Sequence, residues 1–84
     1  MLVSLTNADV LKIAKLLQHN IDYSKGKSTT EMIFSCTMGE LEIKGYYSDG
    51  EYCITSAECI TDDNSVLSVV ESDLEEIERE VARI

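Results

Sequence analysis

Histidine occurs once in this chain of 84 residues, at His19, and cysteine three times, at Cys36, Cys53 and Cys59. His19 falls where the last turn of a helix would end, and a helix C-terminus favours a cation. A capping or surface role is expected for it, and no serine–histidine–aspartate arrangement can be built around it. Cys53 and Cys59 are separated by five residues, which is not a zinc spacing, and Cys36 stands alone. On one strand, six steps of about 3.3 Å set Cys53 and Cys59 roughly 20 Å apart, whereas a disulfide needs Cα atoms within about 7 Å. All three are expected to be reduced, as small apolar fillers. Asp62 and Asn64 begin like a calcium loop, but Val66 and Leu67 then stand where an acidic ligand and a glycine belong. GKSTT, from Gly26 to Thr30, has a phosphate-loop look without the upstream glycine, the preceding strand or the following helix. Paired carboxylates are plentiful, but acid–base catalysis also needs a substantial cleft, which so short a chain rarely provides. The residues therefore predict no catalytic role, no metal and no cofactor.

The elements that would carry these residues are well marked. Thr6 and Asp9 stand three apart like a capping box, and Val10, Ile13, Ala14, Leu17 and Ile21 follow a helical stripe. This predicts a helix from about Asn7 to about Asn20, followed by a polar loop over 22–30. Met32, Phe34, Cys36 and Met38 then alternate with polar residues, as do Leu41, Ile43, Gly45 and Tyr47. A turn at Met38-Gly39 would pair Cys36 with Leu41 and Phe34 with Ile43, with both apolar sets on one face. Asp49-Gly50 is a stronger turn signal, and it pairs Tyr47 with Tyr52 and Gly45 with Ile54. Carried onward, that register would bury Ser56 and Glu58 and expose Ala57 and Cys59. An unpaired buried glutamate is costly, so a bulge is expected between Thr55 and Ala57.

Residues 60–65 read as a turn, and Val66, Leu67, Val69 and Val70 as a short fourth strand. Ser72 and Glu75 suggest a second capping box, and Leu74, Ile77, Val81 and Ile84 a second helical stripe. The expected fold is α+β: one small domain over residues 1–84, an antiparallel three- to four-stranded meander with an N-terminal and a C-terminal helix packed on one face. Apolar content of 44% is ordinary for a folded protein, and no apolar run approaches the roughly 20 residues of a membrane span. The first residues lack the pattern of a signal peptide, so a cytoplasmic location is expected.

Charge is what distinguishes the chain. The formal net charge is −9. Residues 1–30 hold four lysines against two acids, and residues 31–84 hold fourteen acids against one lysine and two arginines. Such a body repels nucleic acid and anionic membranes and is drawn to basic protein surfaces. Within the last helix, Glu75 with Arg79 and Glu80 with Arg83 have the spacing of helical ion pairs, and the early acids and late arginines suit the helix dipole. Taken alone, every one of these features is what a solvated helix shows. Glu40 and Glu42 alternate on the outer sheet face and, with the last helix, are expected to form an extended negative surface. Tyr46 would point outward while Tyr47 and Tyr52 face each other across the turn; exposed tyrosines are common interface anchors. The residues expected to contact a partner are Glu40, Glu42, Tyr46, Asp49, Glu51, Glu75, Glu76 and Glu80.

The stretches YSDGEYCITS, Tyr47 to Ser56, and DLEEIEREV, Asp73 to Val81, give a layout that resembles small acidic accessory proteins of phages and mobile elements. Some anti-CRISPR and anti-restriction proteins are similar in size, charge and helix–meander–helix order. The resemblance implies a non-catalytic binding protein, an inhibitor that offers acids where nucleic-acid phosphates would sit. The alternative is a structural or assembly subunit, phage-related or homo-oligomeric, using an exposed sheet edge or face.

Overall fold

The computed structural model describes residues 2–36 and 39–83, so the expected places of Met38 in a turn and Ile84 on a helical stripe lie outside the described residues. The chain runs β1 (Leu2–Val3), α1 (Asn7–Asn20), β2 (Lys27–Cys36), β3 (Gly39–Ser48), β4 (Glu51–Ile60), β5 (Val66–Val69) and α2 (Glu71–Ala82). The strands form one sheet in the order β1-β5-β4-β3-β2. The class is α+β as expected, but the sheet has five strands and is mixed. The additional strand is β1, which pairs parallel with β5, Leu2 opposite Ser68 and Val3 opposite Val69. Two residues are too short for an alternation pattern, so only the return of β5 beside the N-terminus makes them a strand.

Helix α1 begins as its sequence requires. Thr6 is the N-cap, and its Oγ1 accepts the Asp9 amide at 3.1 Å. Val10, Ile13, Ala14 and Leu17 form the buried stripe. Helix α2 departs from expectation at its start. Val70, not Ser72, is the N-cap, and no side chain caps it. The carboxylate of Asp73 instead reaches across to accept the Leu5 amide at 2.8 Å, which ties the second helix to the N-terminal segment. At the far end, Gln18 Nε2 donates to the carbonyls of Glu80 and Arg83, at 2.8 and 3.1 Å. One helix thus caps the C-terminus of the other.

The polar loop expected over 22–30 is shorter, because β2 starts at Lys27. Ser28 and Thr30 are buried with their hydroxyls bonded, Ser28 Oγ accepting the Asp22 amide and Thr30 Oγ1 meeting the Tyr52 hydroxyl at 2.6 Å. Polar residues at inward positions hid the strand. The β2–β3 register differs by two residues from that expected: Phe34 opposes Leu41, Met32 opposes Ile43, and Gly39 lies within β3 opposite Cys36. A shift of two leaves every side chain on its face, so alternation alone does not separate the two pairings.

The β3–β4 hairpin follows the sequence closely. Asp49 and Gly50 both have positive φ, 52° and 82°, as a type I′ turn demands. Tyr47 opposes Tyr52, and Gly45 opposes Ile54. The register then shifts: Lys44 opposes Ser56, so Thr55 is the extra residue of a bulge. Ala57 and Cys59 thereby return to the core side opposite Ile43 and Leu41, and Glu58 is left exposed.

Both helices contribute to one core on one side of the sheet. Ile13 and Leu17 of α1 and Ile77 and Val81 of α2 join Phe34, Leu41, Ile43, Tyr52, Cys59 and Val69. Each fully buried aliphatic side chain there contributes roughly 1.5–3 kcal/mol. No described helix is long and apolar enough to cross a membrane.

Candidate functional site

With both helices on one side, the other side of the sheet carries no helix. Strand alternation brings rows of side chains together there. One row runs Ser35, Glu40, Ile60 and Val66; the next runs Ile33, Glu42, Glu58, Ser68 and Leu2; a third holds Glu31, Lys44 and Ser56. Ile33, Val66 and Leu2 are 63%, 59% and 67% exposed, although each is a strand residue with a large apolar side chain. The face is therefore a mixture of bare aliphatic side chains and carboxylates.

Its electrostatics are unbalanced. Glu42 and Glu58 lie directly opposite on neighbouring strands, a like-charge pairing that destabilises a sheet. Lys44 answers in part, with Nζ 3.4 Å from Glu42 and 4.0 Å from Glu31. Among the described residues no ion pair reaches Glu40 or Glu58.

Tyr46 is on the same face, opposite Cys53, with Lys27 Nζ 4.6 Å from its ring centre. A hydrogen bond with Cys53 is the main cause that raises its pKa above the ordinary phenol value. Tyr47, on the core side, meets Tyr23 edge to face at 4.9 Å. Burial raises the pKa of Tyr23 and, more directly, that of Tyr52, whose ring is inside the core. Tyr52 is therefore structural.

The acids expected to act together are divided between two layers. Glu40, Glu42 and Tyr46 lie on the outer sheet face, and Asp49 is in the turn at its end. Glu75, Glu76 and Glu80 are on α2, in the helical layer on the opposite side. The extended surface combining sheet and last helix does not form, because α2 packs on β4 from the core side. Glu51 and Glu75 both line a shallow groove, with Tyr52, Glu78, Arg79 and Ala82. In α2, Arg79 pairs with Glu76 and not with Glu75, and Arg83 pairs with Glu80 at 3.1 Å. Two of the helical acids are thus engaged within their own helix.

Sequence reasoning missed Glu78 and the exposed aliphatic residues. Glu78 Oε2 accepts the Ile54 amide at 2.7 Å. That amide lies beside the bulge, where β5 is too short to pair with β4. Ile33 and Val66 were readable as strand residues, whereas Leu2 was not, because β1 is too short to show an alternation pattern. Among the described residues, no group of histidine, cysteine and acidic side chains could hold a metal ion. No protein-family model matches the chain, and no curated protein or solved structure is significantly similar to it.

Proposed function

We propose that this chain is a non-catalytic protein-binding module whose outer sheet face docks on a basic protein surface, of the kind that otherwise holds nucleic-acid phosphates. The observation that supports this most is the pairing of Glu42 with Glu58 on a face without helical cover, beside Glu40 and the exposed Ile33, Val66 and Leu2. A basic side chain placed between those carboxylates relieves their repulsion, and the aliphatic side chains supply area to bury. The formal charge of −9 adds long-range attraction to such a partner. The resemblance in layout to anti-CRISPR and anti-restriction proteins points the same way.

The test is capture of bacterial proteins by three baits: the chain itself, an E40K/E42K/E58K variant, and an E75Q/E76Q/E80Q variant. The expected result is a nucleic-acid-binding protein held by the first and third baits at low salt. It is lost at about 0.5 M salt, where screening acts within a few ångströms, and lost with the lysine variant. Added DNA should compete. Loss with the glutamine variant alone would move the contact to α2, and capture indifferent to salt and to both variants would refute charge mimicry.

A further inference from the structure

We propose that the free edge of β2 pairs antiparallel with β2 of a second copy, about a two-fold axis through Thr29, joining the two five-stranded sheets into one. This inference does not rest on the acidic-face reading: it uses the backbone edge of β2, which borders that face, and not the carboxylates of β3 and β4.

Strand β2 is the last in the sheet order and is ten residues long. Among the described residues its only strand partner is β3, and no loop bonds to its outer side through the backbone. Its register with β3 is unbroken from Lys27 to Cys36, and the chain contains no proline. Among the described residues β2 has no bulge, proline or covering segment and is not short; of the devices that usually protect such an edge it keeps only charge, in Lys27 and Glu31. The opposite edge, by contrast, is only the two residues of β1.

Hydrogen-bond alternation shows which groups are available. The tight Asp49-Gly50 turn closes on the pair Ser48–Glu51, so Ser48, Tyr46 and Lys44 exchange bonds with β4. Tyr47, Gly45 and Ile43 then bond to β2, at Ser28, Thr30 and Met32. Lys27, Thr29, Glu31, Ile33 and Ser35 are left with their N–H and C=O groups directed to the open edge.

Side-chain charge selects the register. An axis through Glu31 sets Glu31 opposite its own copy, a like-charge pair. An axis through Thr30 sets Lys27 opposite Ile33 and Glu31 opposite Thr29. An axis through Ile33 sets Glu31 opposite Ser35. Only the axis through Thr29 places Lys27 opposite Glu31 of the partner copy, and symmetry makes that pair twice. Lys44, already 4.0 Å from Glu31, then extends the alternation of charge across the joined face. The edge is also where two copies of a strongly acidic chain repel least. β2 carries one lysine and one glutamate, and Lys25 precedes it, whereas the excess of acids lies in residues 31–84.

The test is sedimentation of the full chain from about 1 µM to about 1 mM, a span that covers weak and moderate dimers. The expected result is a rise to twice the chain mass of 9.4 kDa. Constant monomer mass would overturn the proposal. T29P should remain monomeric with an unchanged circular dichroism spectrum, because the alternation of ladder bonds directs the Thr29 amide to the open edge. K27E and E31K should each weaken the dimer about tenfold, and K27E/E31K together should restore it. A dimer unaffected by T29P, or single-variant losses that the double variant fails to restore, would refute this edge and this register.

Discussion

Gly45 shows how closely single residues are fitted. A Cβ at this position would lie 2.5 Å from the Cys53 carbonyl and 2.8 Å from the Tyr52 hydroxyl. Tyr52 lays its ring across the glycine so that its hydroxyl reaches Thr30 on β2, spanning three strands with one side chain. Gly45→Ala should therefore destabilise the fold by about 2 kcal/mol, the usual cost of overpacking, seen as a lower urea midpoint. Tyr52 also contributes to the loss of stability at alkaline pH. Burial raises its phenol pKa, so the folded state holds this proton after the unfolded chain has lost it. The stabilising contribution is complete below the unfolded value near 10 and is lost as pH rises through the folded one. Denaturation from pH 8 to about 11.5 should show this decline, and Tyr52→Phe should make it shallower.

At the scale of elements, the bulge at Thr55 reconciles two demands on β4. The turn at Asp49-Gly50 imposes one register, and the burial of Ala57 and Cys59 requires the other. The alternation set by the turn directs the Ile54 amide to the side on which β5 does not extend, and Glu78 of α2 accepts it. Helix α2 thus substitutes for the missing length of strand. Glu78→Ala should cost about 1–2 kcal/mol, the range for a partly buried donor left unpaired, whereas Glu78→Gln retains a carbonyl acceptor and should recover much of it. Hydrogen exchange at Ile54 should quicken in the alanine variant more than elsewhere in β4. The N-cap of α1 is a separate contribution: Thr6→Ala should lower stability by about 1 kcal/mol, read from the same urea transitions.

At the scale of the whole molecule, charge and layering act together. A net charge of −9 on a small body opposes its own compactness through self-repulsion. The thermal midpoint at low protein concentration should therefore rise by several degrees between about 0.05 and 0.5 M sodium chloride, where screening shortens from more than ten ångströms to a few. A midpoint indifferent to salt would mean that local pairs such as Lys44 with Glu42 and Arg83 with Glu80 already balance the charge. The layering separates the acids of the bare sheet face from those of α2. Their separation allows the sheet face and α2 to be tested by different substitutions.

Both helices, the Asp49-Gly50 hairpin and the bulge were legible because each rests on local rules. A helical stripe must share a face, a type I′ turn needs positive φ, and a buried glutamate without a partner is too costly to keep. The sequence by itself therefore determined the α+β class, the core stripe of α1, the pairing of Tyr47 with Tyr52 and the outward side of Glu40 and Glu42. Only the tertiary structure decided that β1 joins β5, that Asp73 and Glu78 bond backbone amides far away in the chain, and that α2 and the acidic sheet face lie on opposite sides. Those contacts join residues more than twenty positions apart. Alternation and periodicity report which face a residue occupies within its own element, but not which other element will meet that face.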